Sequence, residues 1–218
     1  MGRRSLILAS SNPGKAREVE TILAPLGVQV RRIGELFPGF DVEEDGETFA
    51  ANAGKKALAA FAATGAAALA DDSGLCVAAL NGAPGIRSAR FGGPGLTDSE
   101  RAERLLETLH DAARPRRACF QCALVAALPA SWLREPDAHP TAPGLPEDHR
   151  LVTTEGRLEG VIGIEQRGDR GFGYDPIFKP TGFGGLTLAE IEASEKNRIS
   201  HRGQALASLF DLLIPPSQ

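Results

Sequence analysis

The chain has 218 residues, with 24 Lys and Arg against 28 Asp and Glu and a formal net charge of −4. Its 42% apolar share can build a core, which excludes a disordered chain. The acidic balance excludes a generic nucleic-acid coat, which needs excess Lys and Arg, but leaves open a small phosphorylated ligand held in a local basic pocket.

Leu6-Ile7-Leu8-Ala9 is a short apolar run after Gly2-Arg3-Arg4, too short for a signal peptide and patterned as a buried strand. Asn12-Pro13 reads as a helix N-cap followed by Pro at the first helical position. Val19, Ile22, Leu23 and Leu26 then recur at helical spacing, and Gly27 ends the helix. Residues 28–33 alternate as a second strand, and the acidic loop 41–46 leads into an Ala-rich helix over 47–64. Ala67-Ala68-Leu69-Ala70 reads as a strand ending at a turn, Asp71-Asp72-Ser73-Gly74, and 75–80 as another strand. A glycine-rich loop covers 85–95, and Thr97-Asp98-Ser99-Glu100 has the capping-box pattern of a helix reaching about His110.

Two long strands, 117–128 and 151–164, flank an irregular, exposed, proline-rich excursion over 129–149. Cys119 and Cys122 have CxxC spacing, but residues three apart on a strand face opposite ways, so a shared metal or redox pair is not expected. A loop through 171–176 precedes a last helix over 201–213. The mixture predicts an α/β fold, soluble, with no membrane partner and a reducing cytoplasmic setting.

Four segments could carry chemistry. Ser10-Ser11-Asn12-Pro13-Gly14-Lys15 sits where a strand feeds a helix, a place where free N–H groups and the helix dipole favour anions. It is no P-loop, since the upstream Gly is missing and Ala16 follows the Lys, and alone it is equally an ordinary turn with a solvated Lys. Asp71 and Asp72 are adjacent carboxylates at a strand's end, costly together unless a cation or proton is shared, and suited to Mg²⁺ if they are more than turn residues. Gly171-Phe172-Gly173-Tyr174-Asp175-Pro176 sets two aromatics among glycines, a platform for a flat ring or else the apolar face of a short strand. The segment 194–203 is polar and basic, with Lys196, His201 and Arg202 as donors or as solvated charges at a helix start.

Taken in order, these segments resemble the Ham1/inosine triphosphatase family. The resemblance is carried by 11–15, 43–49, Asn52-Ala53 with Lys56-Ala57, 70–75, 82–86, Ser88-Ala89-Arg90, 171–178 and 200–206, nearly end to end. The excursion over 129–149 is longer than such members usually have and touches none of these motifs.

The resemblance implies a mixed elongated central sheet flanked by helices, two lobes with an active-site cleft, and a single domain over 1–218. It implies hydrolysis of ITP, dITP or XTP to the monophosphate and pyrophosphate, a house-cleaning of deaminated nucleotides by a cytoplasmic homodimer. Ser10, Ser11, Asn12, Pro13, Gly14 and Lys15 would cradle phosphates, with Lys56 adding charge. Glu43 and Asp72 would hold Mg²⁺ with Asp71 beside them, Asp72 would also take the proton of the attacking water, and Ser73 would line the substrate. Phe172 would stack on the base within Phe172-Gly173-Tyr174-Asp175, and Lys196, His201 and Arg202 would face the base edge. Two rival readings are a Maf-like pyrophosphatase acting on pyrimidine or modified nucleotides and a nucleotide-binding protein without hydrolysis.

Overall fold

The computed structural model describes residues 4–10, 12–24 and 27–214. The expectations placed on Gly2-Arg3, Ser11 and Leu26 lie outside the described residues. In chain order the elements are β1 (Ser5–Leu8), α1 (Pro13–Leu23), β2 (Gln29–Arg32), α2 (Ile33–Leu36), α3 (Phe49–Thr64) and β3 (Ala68–Val77). They continue with α4 (Asp98–Thr108), β4 (Arg117–Pro129), β5 (His149–Ile162), β6 (Phe178–Pro180), α5 (Ala193–Ile199) and α6 (His201–Leu212). The strands form one sheet in the order β2-β1-β3-β4-β5-β6. It is mixed: β1 runs parallel to β2 and β3, and β5 runs antiparallel to β6. The α/β expectation holds.

The chain divides into two compact units, Met1–Asp72 with Ala123–Glu155 and Arg202–Gln218, and Ser73–Cys122 with Gly156–His201. Strands β3, β4 and β5 each contribute residues to both.

In the first unit, α3 presents Ala53, Ala57, Ala60 and Phe61 at helical spacing to Ile7 and Ala9, Ala68 and Ala70, and Val125 and Ala127. The small Ala side chains let the helix backbone lie close to the strands. Thr48 opens this helix by accepting the Ala51 N–H, and Gly65 closes it in the left-handed conformation at φ 63°. The excursion after β4 is more ordered than its prolines suggest. It holds short 3₁₀ turns at Ala130–Trp132 and Pro136–Ala138, the Ala130 N–H donates to the Asp148 carbonyl at 2.7 Å, and Arg150 Nε donates to the Pro136 carbonyl at 3.1 Å.

In the second unit, α4 packs Ala102, Leu105 and Leu109 against Leu75 and Val77, Ala118 and Phe120, and Leu158 and Ile162. Each fully buried leucine there contributes about 2 kcal/mol of apolar burial. Among the described residues, no helix is long and apolar enough to cross a membrane.

Four elements depart from the sequence expectation. The acidic turn does not exist, because β3 runs unbroken through Asp71-Asp72-Ser73-Gly74. The last helix stands where it was expected, as α6, but a further helix, α5, precedes it, separated at Ser200, whose ψ of 153° is extended. Strand β6 and the single-turn helix α2 are too short to leave a periodic signal.

Candidate active site

In the first unit, the segment after β1 folds as its sequence suggests. The Asn12 amide oxygen accepts the Gly14 and Lys15 N–H groups at 2.8 and 3.1 Å, Pro13 opens α1, and Ser10 Oγ accepts the Asn12 N–H at 3.3 Å. The expected phosphate turn is thus a capped helix start with Lys15 on its first turn.

Strand geometry then separates the two acids. Neighbouring residues on a strand point to opposite faces, so Asp71 and Asp72 meet different surroundings. Asp71, 1% exposed, accepts from Arg202 Nε and Nη2, both at 3.1 Å, and lies 3.4 Å from Lys15 Nζ. Burial alone would push its carboxyl up. The charges of Lys15, Arg202 and Lys56 outweigh that, with the Arg202 hydrogen bonds adding to them, and hold it well below the usual carboxylate range.

Asp72, 5% exposed, accepts from Asn52 Nδ2 at 3.1 Å and lies 3.9 Å from Lys56 Nζ. Its carboxyl is pushed up by burial, and the nearby Glu44 charge adds to the rise. Lys56, Lys15 and the Asn52 amide offset this only in part. One acid is therefore clamped in its ionised form, while its neighbour is poised to take up a proton. That asymmetry is what a general base beside a charge-holding partner requires.

Lys56 ties the acidic loop to this strand, donating to Glu44 Oε1 at 2.6 Å and to the Asp71 carbonyl at 2.7 Å. Glu44, and not Glu43, is the loop acid that faces Asp72 electrostatically, whereas Glu43 is exposed. The loop alternates between exposed and half-buried residues, which leaves Glu43, the expected metal ligand, outward and puts Glu44 on the covered side. Among the described residues no group of three or more His, Cys, Asp or Glu is placed to hold a metal ion. A pair of carboxylates without nitrogen or sulfur donors nevertheless suits a hard cation that keeps water and phosphate oxygens as its other ligands, and Mg²⁺ is such an ion.

Two residues of this unit escaped the sequence reading. Glu18 pairs with Arg202 Nη1, so Arg202, itself 1% exposed, is held between two carboxylates. Glu18 stands three residues after Lys15, which puts both on one face of α1, a spacing visible in the sequence. Asn52 is fully buried, and its amide is oriented from both ends, with Oδ1 accepting the Gly46 N–H at 2.8 Å while Nδ2 serves Asp72. A poor helix former inside an Ala-rich helix was the available signal. Arg202, expected at a base edge, lies in the charge cluster around Asp71.

In the second unit, the loop over 171–176 is a series of turns and not a strand. Tyr174 is 4% exposed and belongs to the core, its hydroxyl donating to the Ser88 carbonyl at 2.9 Å. Burial pushes its hydroxyl well above the ordinary tyrosine range. It anchors the loop and offers no face for stacking, so the platform narrows to Phe172, which is half-buried. Asp175 Oδ2 accepts the Phe172 N–H at 2.9 Å and Lys196 Nζ at 2.6 Å, and that ammonium lies 4.9 Å from the Phe172 ring centre. Gly171, at φ 79°, could carry no side chain, because a Cβ there would collide with the Asp175 carboxylate. Gly173 donates its N–H to Asp98 Oδ2 at 2.8 Å. His201 stacks on Phe120 with centroids 4.8 Å apart and planes 8° from parallel. Ser73, half-buried, continues β3 from Asp72.

Cys76 and Cys119 are thiol neighbours, and burial pushes both thiols up, that of Cys76 to about 11.

Comparison with known proteins agrees on one family. The model of the Ham1 family matches residues 6–212. The dITP/XTP pyrophosphatase of Desulforamulus reducens is 46% identical over 210 residues, covering 95% of this chain and 94% of that protein. The dITP/XTP pyrophosphatase of Methylococcus capsulatus is 44% identical over 213 residues, covering 97% and 96%. Among solved structures, a Ham1 protein from Coxiella burnetii superposes with a TM-score of 0.77 at 40% identity, covering 94% of this chain and 96% of that one.

Proposed function

The chain belongs to the Ham1 family, and we infer that it is a dITP/XTP pyrophosphatase, a hydrolase that splits deaminated purine nucleoside triphosphates into monophosphate and pyrophosphate. The observation that carries the chemistry is the asymmetry of the acidic pair, Asp71 held ionised and Asp72 pushed up by burial. Asp72 takes the proton of the water that attacks the α-phosphorus, with its carboxylate oriented by the Asn52 amide. The positive end of α1, with Lys15 and Lys56, stabilises the negative charge of the triphosphate and of the departing pyrophosphate. Ser10, Ser11, Asn12, Pro13 and Gly14 orient the phosphates, and Ser73 lines the substrate. Arg202 and Glu18 keep Asp71 and Lys15 in place for that task.

Glu44 and Asp72 would hold Mg²⁺, which when bound neutralises phosphate charge and polarises the phosphoryl oxygens. In the second unit, Phe172 stacks on the base, supported by Gly173 and Asp175. Lys196, with His201 nearby in sequence, donates to the oxygen at position 6 of the purine. Adenine offers an N–H₂ group there and would leave that donor unpaired. The two units interleave along the chain, so neither is a contiguous stretch, which supports one catalytic domain. The family resemblance further supports a homodimer in the cytoplasm, and light scattering reads the mass directly.

The test is incubation with ITP, dITP, XTP, ATP and dTTP in the presence of Mg²⁺, resolving pyrophosphate from orthophosphate. Pyrophosphate and the monophosphate are expected from the first three, with turnover stopped by a chelator. Orthophosphate as the product, or equal rates on ATP, would overturn the assignment.

A further inference from the structure

The loop that carries Phe172 is held from outside as well as from within. The peptide unit before Phe172 is fixed by its N–H, which donates to Asp175 Oδ2 at 2.9 Å. The peptide unit after it is fixed by the Gly173 N–H, which donates to Asp98 Oδ2 at 2.8 Å. Peptide units are rigid planes, so pinning the one on either side of a residue sets its φ and ψ and hence the direction of its side chain. Asp175 is itself gripped by Lys196, but Asp98 comes from the first turn of α4, seventy-five positions away in sequence.

Asp98 is not consumed by its own helix. Thr97 Oγ1 accepts the Glu100 N–H at 3.3 Å and Glu100 Oε2 accepts the Thr97 N–H at 2.8 Å, so the cap is complete without it. The same helix turn is tied down on other sides. Ser99 Oγ donates to Gln166 Oε1 at 3.1 Å, and buried Arg101 donates to the carbonyls of Phe91 and, at 2.9 Å, Leu96. The acceptor that reaches Gly173 therefore stands on a fixed base, and a carboxylate makes the hydrogen bond charge-assisted.

We propose that Asp98 is a positioning residue for purine selection, acting through the Gly173 N–H to hold Phe172 in the direction that stacks on the base. The proposal rests on Phe172 being the stacking platform. Asp98 touches no reacting atom, so its loss weakens substrate binding and leaves the chemical step alone.

Steady-state kinetics on ITP test this with Asp98→Ala, Asp98→Asn, Phe172→Ala and the Asp98→Ala/Phe172→Ala double variant, each checked for thermal unfolding. Asp98→Ala is expected to raise KM about tenfold, the lower end of the scale of one hydrogen bond to a charged group, with kcat changed less than about twofold. Asp98→Asn keeps an acceptor oxygen and should recover most of that loss. In the Phe172→Ala background, Asp98→Ala should add nothing, because the two act through one contact. If Phe172→Ala leaves KM unchanged, the platform reading falls and takes this proposal with it. If Phe172→Ala raises KM and Asp98→Ala does not, the proposal alone falls. A lower unfolding temperature for Asp98→Ala at unchanged KM also overturns it, assigning the carboxylate to the helix dipole instead.

Discussion

The two units hold their charged residues in opposite ways. The first gathers side chains from four separate stretches of chain around Asp71 and Asp72, and its geometry is a balance of full charges: Lys15, Glu18, Glu44, Lys56 and Arg202. The second holds a buried ion pair, Lys196 with Asp175, and shapes its loop through backbone N–H groups and a tyrosine hydroxyl. Loss of a charge that pairs with Asp71 should therefore strike rate and stability together, because a removed partner strands a buried charge. Damage to the second should strike recognition or stability separately, because each contact there has one task.

The largest effect that could break this contrast is Asp72→Asn. Turnover of every substrate should fall on the order of 10³-fold, the usual worth of a positioned base, with folding little changed. Steady-state rates at several Mg²⁺ concentrations check it, and near-normal activity would remove Asp72 from the mechanism.

Arg202→Ala comes next. It leaves Asp71 and Glu18 without their shared partner and should cost about 3 kcal/mol in urea unfolding besides abolishing useful activity. An unchanged midpoint would mean that solvent replaces the guanidinium, contrary to its burial.

Gly74→Ala should destabilise by about 2 kcal/mol, since a Cβ there would collide with the Gly85 carbonyl and Ser88 Oγ. It alters no charge, so the KM for ITP of the folded fraction should stay near that of the parent.

The smallest effect sharpens the contrast most. Tyr174→Phe should lose about 1 kcal/mol, the net worth of its bond to the Ser88 carbonyl, at unchanged KM for ITP. A several-fold rise in KM would return Tyr174 to the recognition surface.

What the sequence made legible were features with local causes. Asn12 capping α1, the Thr97–Glu100 box and the long strands β4 and β5 follow from neighbours within a few residues, and each stands within two residues of its expected place. The acidic pair was legible as chemistry but not as structure. Asp-Asp-Ser-Gly has the composition of a turn, yet it lies in a strand because Gly74 fits closely against the Gly85–Ser88 backbone and Asp71 finds Arg202 at a separation of 131 residues. No local pattern encodes such partners. Glu44 was given no role for a related reason, since two equal acids in a loop differ only in which one the fold covers. Tyr174 misled because aromatics among glycines look alike whether they face a ligand or the core.

The unbroken course of β3 through Asp71 and Asp72 bears on how this site tolerates change in length. Alternation along a strand assigns each acid to its face by parity, not by identity. A substitution at either position alters one environment. A one-residue insertion upstream within β3 would turn both acids to the opposite face, bringing Asp71 to the place of Asp72 beside Asn52 and Lys56 and carrying Asp72 beyond it, so that Lys15 and Arg202 lose their carboxylate. Length variants of this protein should accordingly accumulate in the stretch between β4 and β5, and the ten residues of β3 should resist them.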